Sequence, residues 1–152
     1  MANNRFVVSK DSIALTAATA KTCLMVTAAS NVGLKISRIK IGFDSATSTN
    51  QPALIEYVRP TTAGTFTSLT PAKDDPANND TLQLTAGHTA SAEPTIGSSD
   101  VSQRYTAPVY QGLVDDRLGF GQEIPVPGGG RWGIRITSPS AVNVSITVLG
   151  EE

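Results

Sequence analysis

The stretch Gly128-Gly129-Gly130-Arg131-Trp132-Gly133-Ile134-Arg135-Ile136-Thr137-Ser138-Pro139-Ser140-Ala141-Val142-Asn143-Val144-Ser145-Ile146-Thr147-Val148 decides the fold class. Apolar residues fall at Trp132, Ile134 and Ile136, stop at Ser138-Pro139-Ser140, and resume at Val142, Val144, Ile146 and Val148. A period of two sends alternate side chains to opposite faces of a strand, so one face enters a core and the other meets water. The intervening Gly133, Arg135, Thr137, Asn143, Ser145 and Thr147 are polar or small, as a wetted face requires. The two runs read as a β-meander that follows a glycine turn.

Upstream of this stretch the pattern continues in shorter pieces. Residues 1–10 read as a polar N-terminal arm, with Phe6-Val7-Val8 able to add a short strand, and residues 11–152 as a single domain. Ile13 and Leu15 alternate. Ala17 to Lys21 is a connection, and Thr22 to Ala28 is a strand apolar enough to be buried on both faces. Val32, Leu34 and Ile36 alternate on even positions, whereas Ile39, Ile41 and Phe43 alternate on odd ones. A register that changes face at Ser37-Arg38 requires a bulge or bend, the device by which long strands cross between sheets.

Asp44 to Pro52 is a Ser/Thr/Asn loop. Strands are expected over Ala53–Arg59, around Phe66 and Leu69, at Leu82 and Leu84, through Tyr105, Val109 and Tyr110 with a break at Pro108, and over Gln122–Val126. Pro71–Asp80 reads as a polar loop, Ala86–Ser102 as a long irregular connection, and Leu113–Phe120 as a connector. Eight to ten short strands with Gly/Pro/Ser turns, and no amphipathic helix, indicate an all-β antiparallel sandwich of jelly-roll type.

The chain has 152 residues, the size of one domain, and a formal net charge of −1. Such a balance argues against a nucleic-acid partner, which calls for a basic surplus. The local group Lys35, Arg38 and Lys40 reads as a solvated face. Charged residues are 16% of the chain, below the ~25% of ordinary soluble domains. A surface made polar by Ser and Thr is less costly to desolvate, which suits contact with other subunits. No stretch approaches the ~20 apolar residues of a membrane span, so no membrane partner is expected. Met1 to Lys10 lacks a signal-peptide core. The one cysteine, Cys23, permits no internal disulfide and reads as a small buried hydrophobe in a chain folded in a reducing cytosol.

Each chemically capable group has a plain structural alternative. His88 stands in a Gly/Thr/Ala/Ser segment with no second histidine. Asp74, Asp75 and Asp80, and Asp115 and Asp116, lack the ligand spacing of a calcium loop and read as turn-capping or solvated acids. Gly128-Gly129-Gly130-Arg131 lacks the Lys-Ser/Thr of a phosphate loop and reads as a hairpin turn. Trp132, Tyr57, Tyr105 and Tyr110 would make a sugar platform only if exposed, and Trp132 is in phase with the core. Glu56, Glu93 and Glu123 are the glutamates that would have to pair in space for glycoside hydrolysis. No catalytic, cofactor or metal residue is assigned, and no enzyme is expected.

Two segments carry a resemblance: His88-Thr89-Ala90-Ser91-Ala92-Glu93-Pro94-Thr95, and Gly121-Gln122-Glu123-Ile124-Pro125-Val126-Pro127 running through the glycine turn to Thr137, with the Glu151-Glu152 ending. Together with Ile13-Ala14-Leu15-Thr16-Ala17-Ala18-Thr19-Ala20-Lys21-Thr22 they resemble small virion proteins of tailed bacteriophages, of the capsid decoration (cement) type. The resemblance implies a jelly-roll-like fold, a homotrimer, and a place on the outer capsid surface, where the protein bridges subunits of the major capsid protein. It implies no catalytic residue. Another virion part (tail, neck or fibre) and a carbohydrate-binding module are the alternatives.

Overall fold

The computed structural model describes residues 4–45 and 51–152. The two runs that open the sequence argument are strands, but they do not form a meander. β11 (Arg131–Thr137) and β12 (Val142–Glu151) lie in different sheets, and the chain crosses between them at Ser138–Ala141. Trp132, Ile134 and Ile136 enter the core from one sheet while Val144, Ile146 and Val148 enter it from the other. Periodicity names the buried face of a strand and leaves its partner open.

The topology is a long antiparallel hairpin rolled up. β1 (Arg5–Leu15) pairs with β12 and β2 (Ala20–Thr27) with β11. β3 (Leu34–Phe43) pairs with β9 (Leu113–Arg117) and β10 (Ile124–Val126). β4 (Ala53–Val58) pairs with β8 (Val101–Ala107). Rolling places β12 against β3 and β11 against β4. The result is two sheets with core orders β9/β10-β3-β12-β1 and β8-β4-β11-β2, a jelly-roll winding. An insertion between β4 and β8 supplies β5 (Thr65–Leu69), β6 (Ala72–Lys73) and β7 (Thr85–Ala92). β6 extends the first sheet beyond β1, and β7 and β5 extend the second beyond β2, giving two six-stranded sheets. The expected all-β antiparallel sandwich is therefore the architecture found.

Several local expectations are corrected. Arg5–Lys10 is no arm: it is the first half of β1, flanked by β12 and β6, with Phe6 and Val8 fully buried. The polar Asn3-Asn4-Arg5 start hid an alternation that continues to Leu15 across an irregularity between Lys10 and Ile13. Leu82 and Leu84 form no strand; the amides of Gln83 and Leu84 donate instead to the Glu152 carboxylate, at 2.7 and 3.0 Å. Ala86–Ser102 contains most of β7, concealed because its residues are small. Gly87 is small for a reason, since a Cβ there would lie 2.6 Å from Phe66 Cβ. Leu113–Arg117, expected as a connector, is the edge strand β9. Of the expected loop over 44–52, residues 46–50 lie outside the described residues.

The face change at Ser37-Arg38 is a bulge within one strand. Leu149 opposes Arg38 and Gly150 opposes Ile36, leaving Ser37 extra. β3 stays in its sheet, so the expected crossing does not occur. The bulge does separate the partners on the strand's other side: β10 pairs with residues 34–36 and β9 with 38–42. The intervening loop leaves β3 after Leu118, whose amide still donates to Ser37 O at 2.9 Å.

The outer face of the second sheet is not the wetted face expected for β11. The β4–β5 and β7–β8 connections both cross it as straps. They bond to each other through Thr61 N–H to Thr95 O at 3.0 Å and Thr95 N–H to Thr62 Oγ1 at 2.8 Å. Gly133, Val58, Met25 and Pro94 are consequently buried.

Candidate functional surface

The chemically capable side chains are dispersed, and most are held by a structural partner. His88 shares a 3.0 Å hydrogen bond with Thr89 Oγ1, and burial, aided by the charge of Lys10, lowers its pKa. The thiol of Cys23 is pushed up to about 12, chiefly by burial, which makes it a poor nucleophile. Asp74 pairs with Arg5 at 3.3 Å, and Asp75 accepts from the Ala77 amide at 2.9 Å. Gly129 and Gly130 N–H donate to Ala29 O and Pro127 O at 3.0 and 2.8 Å. Those two amides of the turn are occupied, which a phosphate cradle does not permit; the turn is not the expected hairpin either, because it carries the chain from β10 in the first sheet to β11 in the second. Among the described residues no three His, Cys, Asp or Glu side chains gather as a metal site. None of the helices among them is long and apolar enough to cross a membrane.

The glutamates do not pair. Glu123 accepts from the Gly121 amide at 2.8 Å and shapes its own loop. Glu93 lies on a strap and receives the Thr22 amide at 3.0 Å and the Thr22 hydroxyl. Glu56 is buried and holds Arg135 and Arg104 at 2.8 and 3.0 Å. Burial raises its pKa, but the two guanidinium hydrogen bonds outweigh that and the net shift is downward. Cross-strand register aligns Thr22, Arg135, Glu56 and Arg104, so with Glu93 they form one polar row over the second sheet. The row ties strap to sheet.

The aromatics also turn inward. Trp132 and Tyr57 are fully buried, with ring centroids 5.4 Å apart, and Tyr105 packs tilted against Tyr57 at 5.3 Å. A sugar platform of Trp132, Tyr57 and Tyr105 is therefore absent. Instead the Tyr57 hydroxyl donates across the sandwich to Asp116 at 3.4 Å. Tyr105 Oη lies 2.7 Å from Gln103 Oε1 and 3.3 Å from Asp116. Burial, then the negative charge of Asp116, raises both phenol pKa values. Beside them Arg38 grips Asp115 with two bonds, at 2.8 and 2.7 Å, and Arg117 lies 3.4 Å from it. These pairs pin β9 to β3 and to the opposite sheet.

The large apolar side chains left exposed among the described residues lie along that pinned edge. Tyr110 is 46% exposed, Leu113 71% and Phe120 fully. Tyr110 and Leu113 flank the entry to β9, and Phe120 caps the 118–123 loop that follows it. The loop is a tight turn, closed by Gln122 N–H to Gly119 O at 2.9 Å, with Gly121 at φ +80° where other residues are disfavoured. Sequence reasoning passed over Leu113 and Phe120 as connector residues. The available signal was a phenylalanine between two glycines, in phase with no strand. No family model matches the chain, and a search of curated proteins finds no match.

Proposed function

We propose that the protein is a non-enzymatic virion component, a capsid decoration protein that sits on the outer shell and bridges subunits of the major capsid protein. One observation carries the reading: His88, Cys23 and the three expected glutamates are spent on internal contacts or buried, while the largest exposed apolar side chains flank one braced sheet edge. A surface of that kind acts by touching a partner, since exposed aromatic and aliphatic anchors on rigid backbone supply most of the energy of protein contacts. The jelly-roll winding agrees, because viral shell proteins use it widely; a fold alone does not assign a role. The lectin reading loses its aromatic platform. Many copies on a shell would add weak contacts through multivalency.

The test is co-sedimentation with purified capsids that lack the protein. Saturable binding, weakened by Leu113→Ser, is expected. Binding to isolated tails and not to capsids, or to neither, would refute the assignment.

A further inference from the structure

The edge that presents Phe120 also carries a groove that fits it. β10 and the start of β3 line a groove of about 490 Å³ with Leu34, Pro125, Val126 and Pro127. Lys35 and Arg59 flank it. Concavities of roughly 300–1,000 Å³ enclose whole small ligands, so a single phenyl ring has room. Pro125 and Pro127 bring no amide donors to this edge, so its attraction is for apolar side chains and not for an added strand.

Charge matches shape. Lys35 is drawn to Glu151 at 3.7 Å, whereas Arg59 is exposed and its side chain makes no ion pair or hydrogen bond among the described residues. The Phe120 loop carries Glu123 three residues on, with a carboxylate oxygen fixed on Gly121 N–H and the residue half-buried. An apolar knob with a nearby carboxylate and an apolar groove flanked by an exposed guanidinium thus lie on the same edge.

We infer that Phe120 of one copy seats in the Leu34/Pro125/Val126/Pro127 groove of a second copy, with Glu123 turned toward the second copy's Arg59. Knob and groove lie a few residues apart on one edge, so a two-fold arrangement satisfies both at once. Within one molecule Phe120 is fully solvated, so its own groove is not what it occupies. The inference concerns free protein and does not rest on the capsid reading.

Sedimentation velocity over a concentration series tests it on the full chain. The wild type is expected to self-associate, Phe120→Ser to weaken association roughly tenfold or more, and Arg59→Glu to weaken it less. Both sites are exposed, so circular dichroism should show an unchanged fold. A second arm mixes Phe120→Cys with Arg59→Cys protein and a bis-maleimide. Cys23 is buried and stays silent, and crosslinks between the two variants should exceed those within either. A monomeric wild type, association unaffected by Phe120→Ser, or no excess of mixed crosslinks would overturn the inference. A monomer that still coats capsids would remove this inference and leave the proposed function standing.

Discussion

Asp115 is a single carboxylate on which the exposed edge depends. Hydrogen bonding from Arg38, with the charges of Arg38 and Arg117, outweighs its desolvation and draws its pKa from 3.8 to about 2. Folding therefore favours the deprotonated acid. A depressed carboxylate adds stability fully above the unfolded-state pKa, and that contribution is lost as pH falls through the folded value. The window runs from about pH 4 down to about pH 2. Asp115→Asn should lower the thermal midpoint at neutral pH, with the gap to wild type closing over that window; a gap that stays constant into strong acid would show that the ion pair is not its source. The sequence exposed Asp115 and Asp116 as adjacent acids and no more. Adjacent residues on a strand point to opposite faces, so one reaches Arg38 and the other the buried tyrosines. That division was invisible while the segment read as a connector.

Among elements, legibility tracked the size of side chains. β11, β12 and β3 were plain because Ile, Val and Trp mark their inner faces, and even the Ser37 bulge was located from the switch of parity. β7 and β9 were missed because one is built of Ala, Gly and Thr and the other holds its inner face with an aspartate. The anchors at Leu113 and Phe120 were missed with β9. β1 was half seen, and its polar first half has a measurable consequence. Phe6 and Val8 are fully buried, and residues 5–10 hydrogen-bond along β12. Each buried side chain is worth about 1.5–3 kcal/mol. Stripping β12 of half its partner adds unsatisfied backbone groups, against a total domain stability of about 5–15 kcal/mol. Removing residues 1–10 should abolish the cooperative unfolding transition and the near-ultraviolet signal of Trp132. A truncated protein that still melts sharply would return these residues to the status of an arm.

The whole molecule joins its two ends late in sequence and close in space. Asn4 and Glu152 exchange backbone hydrogen bonds at 3.1 and 3.0 Å. Ser9 and Thr147 bond through their hydroxyls across 138 residues. Every pairing of the rolled hairpin outside its tip shares this non-local character, so folding is expected on the slow side, milliseconds to seconds. Loop-closure entropy costs about 0.6 kcal/mol for each doubling of loop length. A circular permutant that replaces Met1-Ala2-Asn3 with a short Gly/Ser linker from Glu152 to Asn4, and opens between Phe120 and Gly121, makes β12–β1 a local hairpin. The separation shrinks by about four doublings, which removes roughly 2 kcal/mol of closure cost. If β1–β12 pairing is part of the rate-limiting structure, stopped-flow refolding should accelerate on the order of tenfold, with little change in unfolding. Opening the Phe120 loop costs the permutant one turn hydrogen bond and no core residue, so its fold should persist. An unaltered refolding rate would mean that the sandwich condenses first around β11, β4 and β2, and that β1 docks onto β12 only after the barrier is crossed.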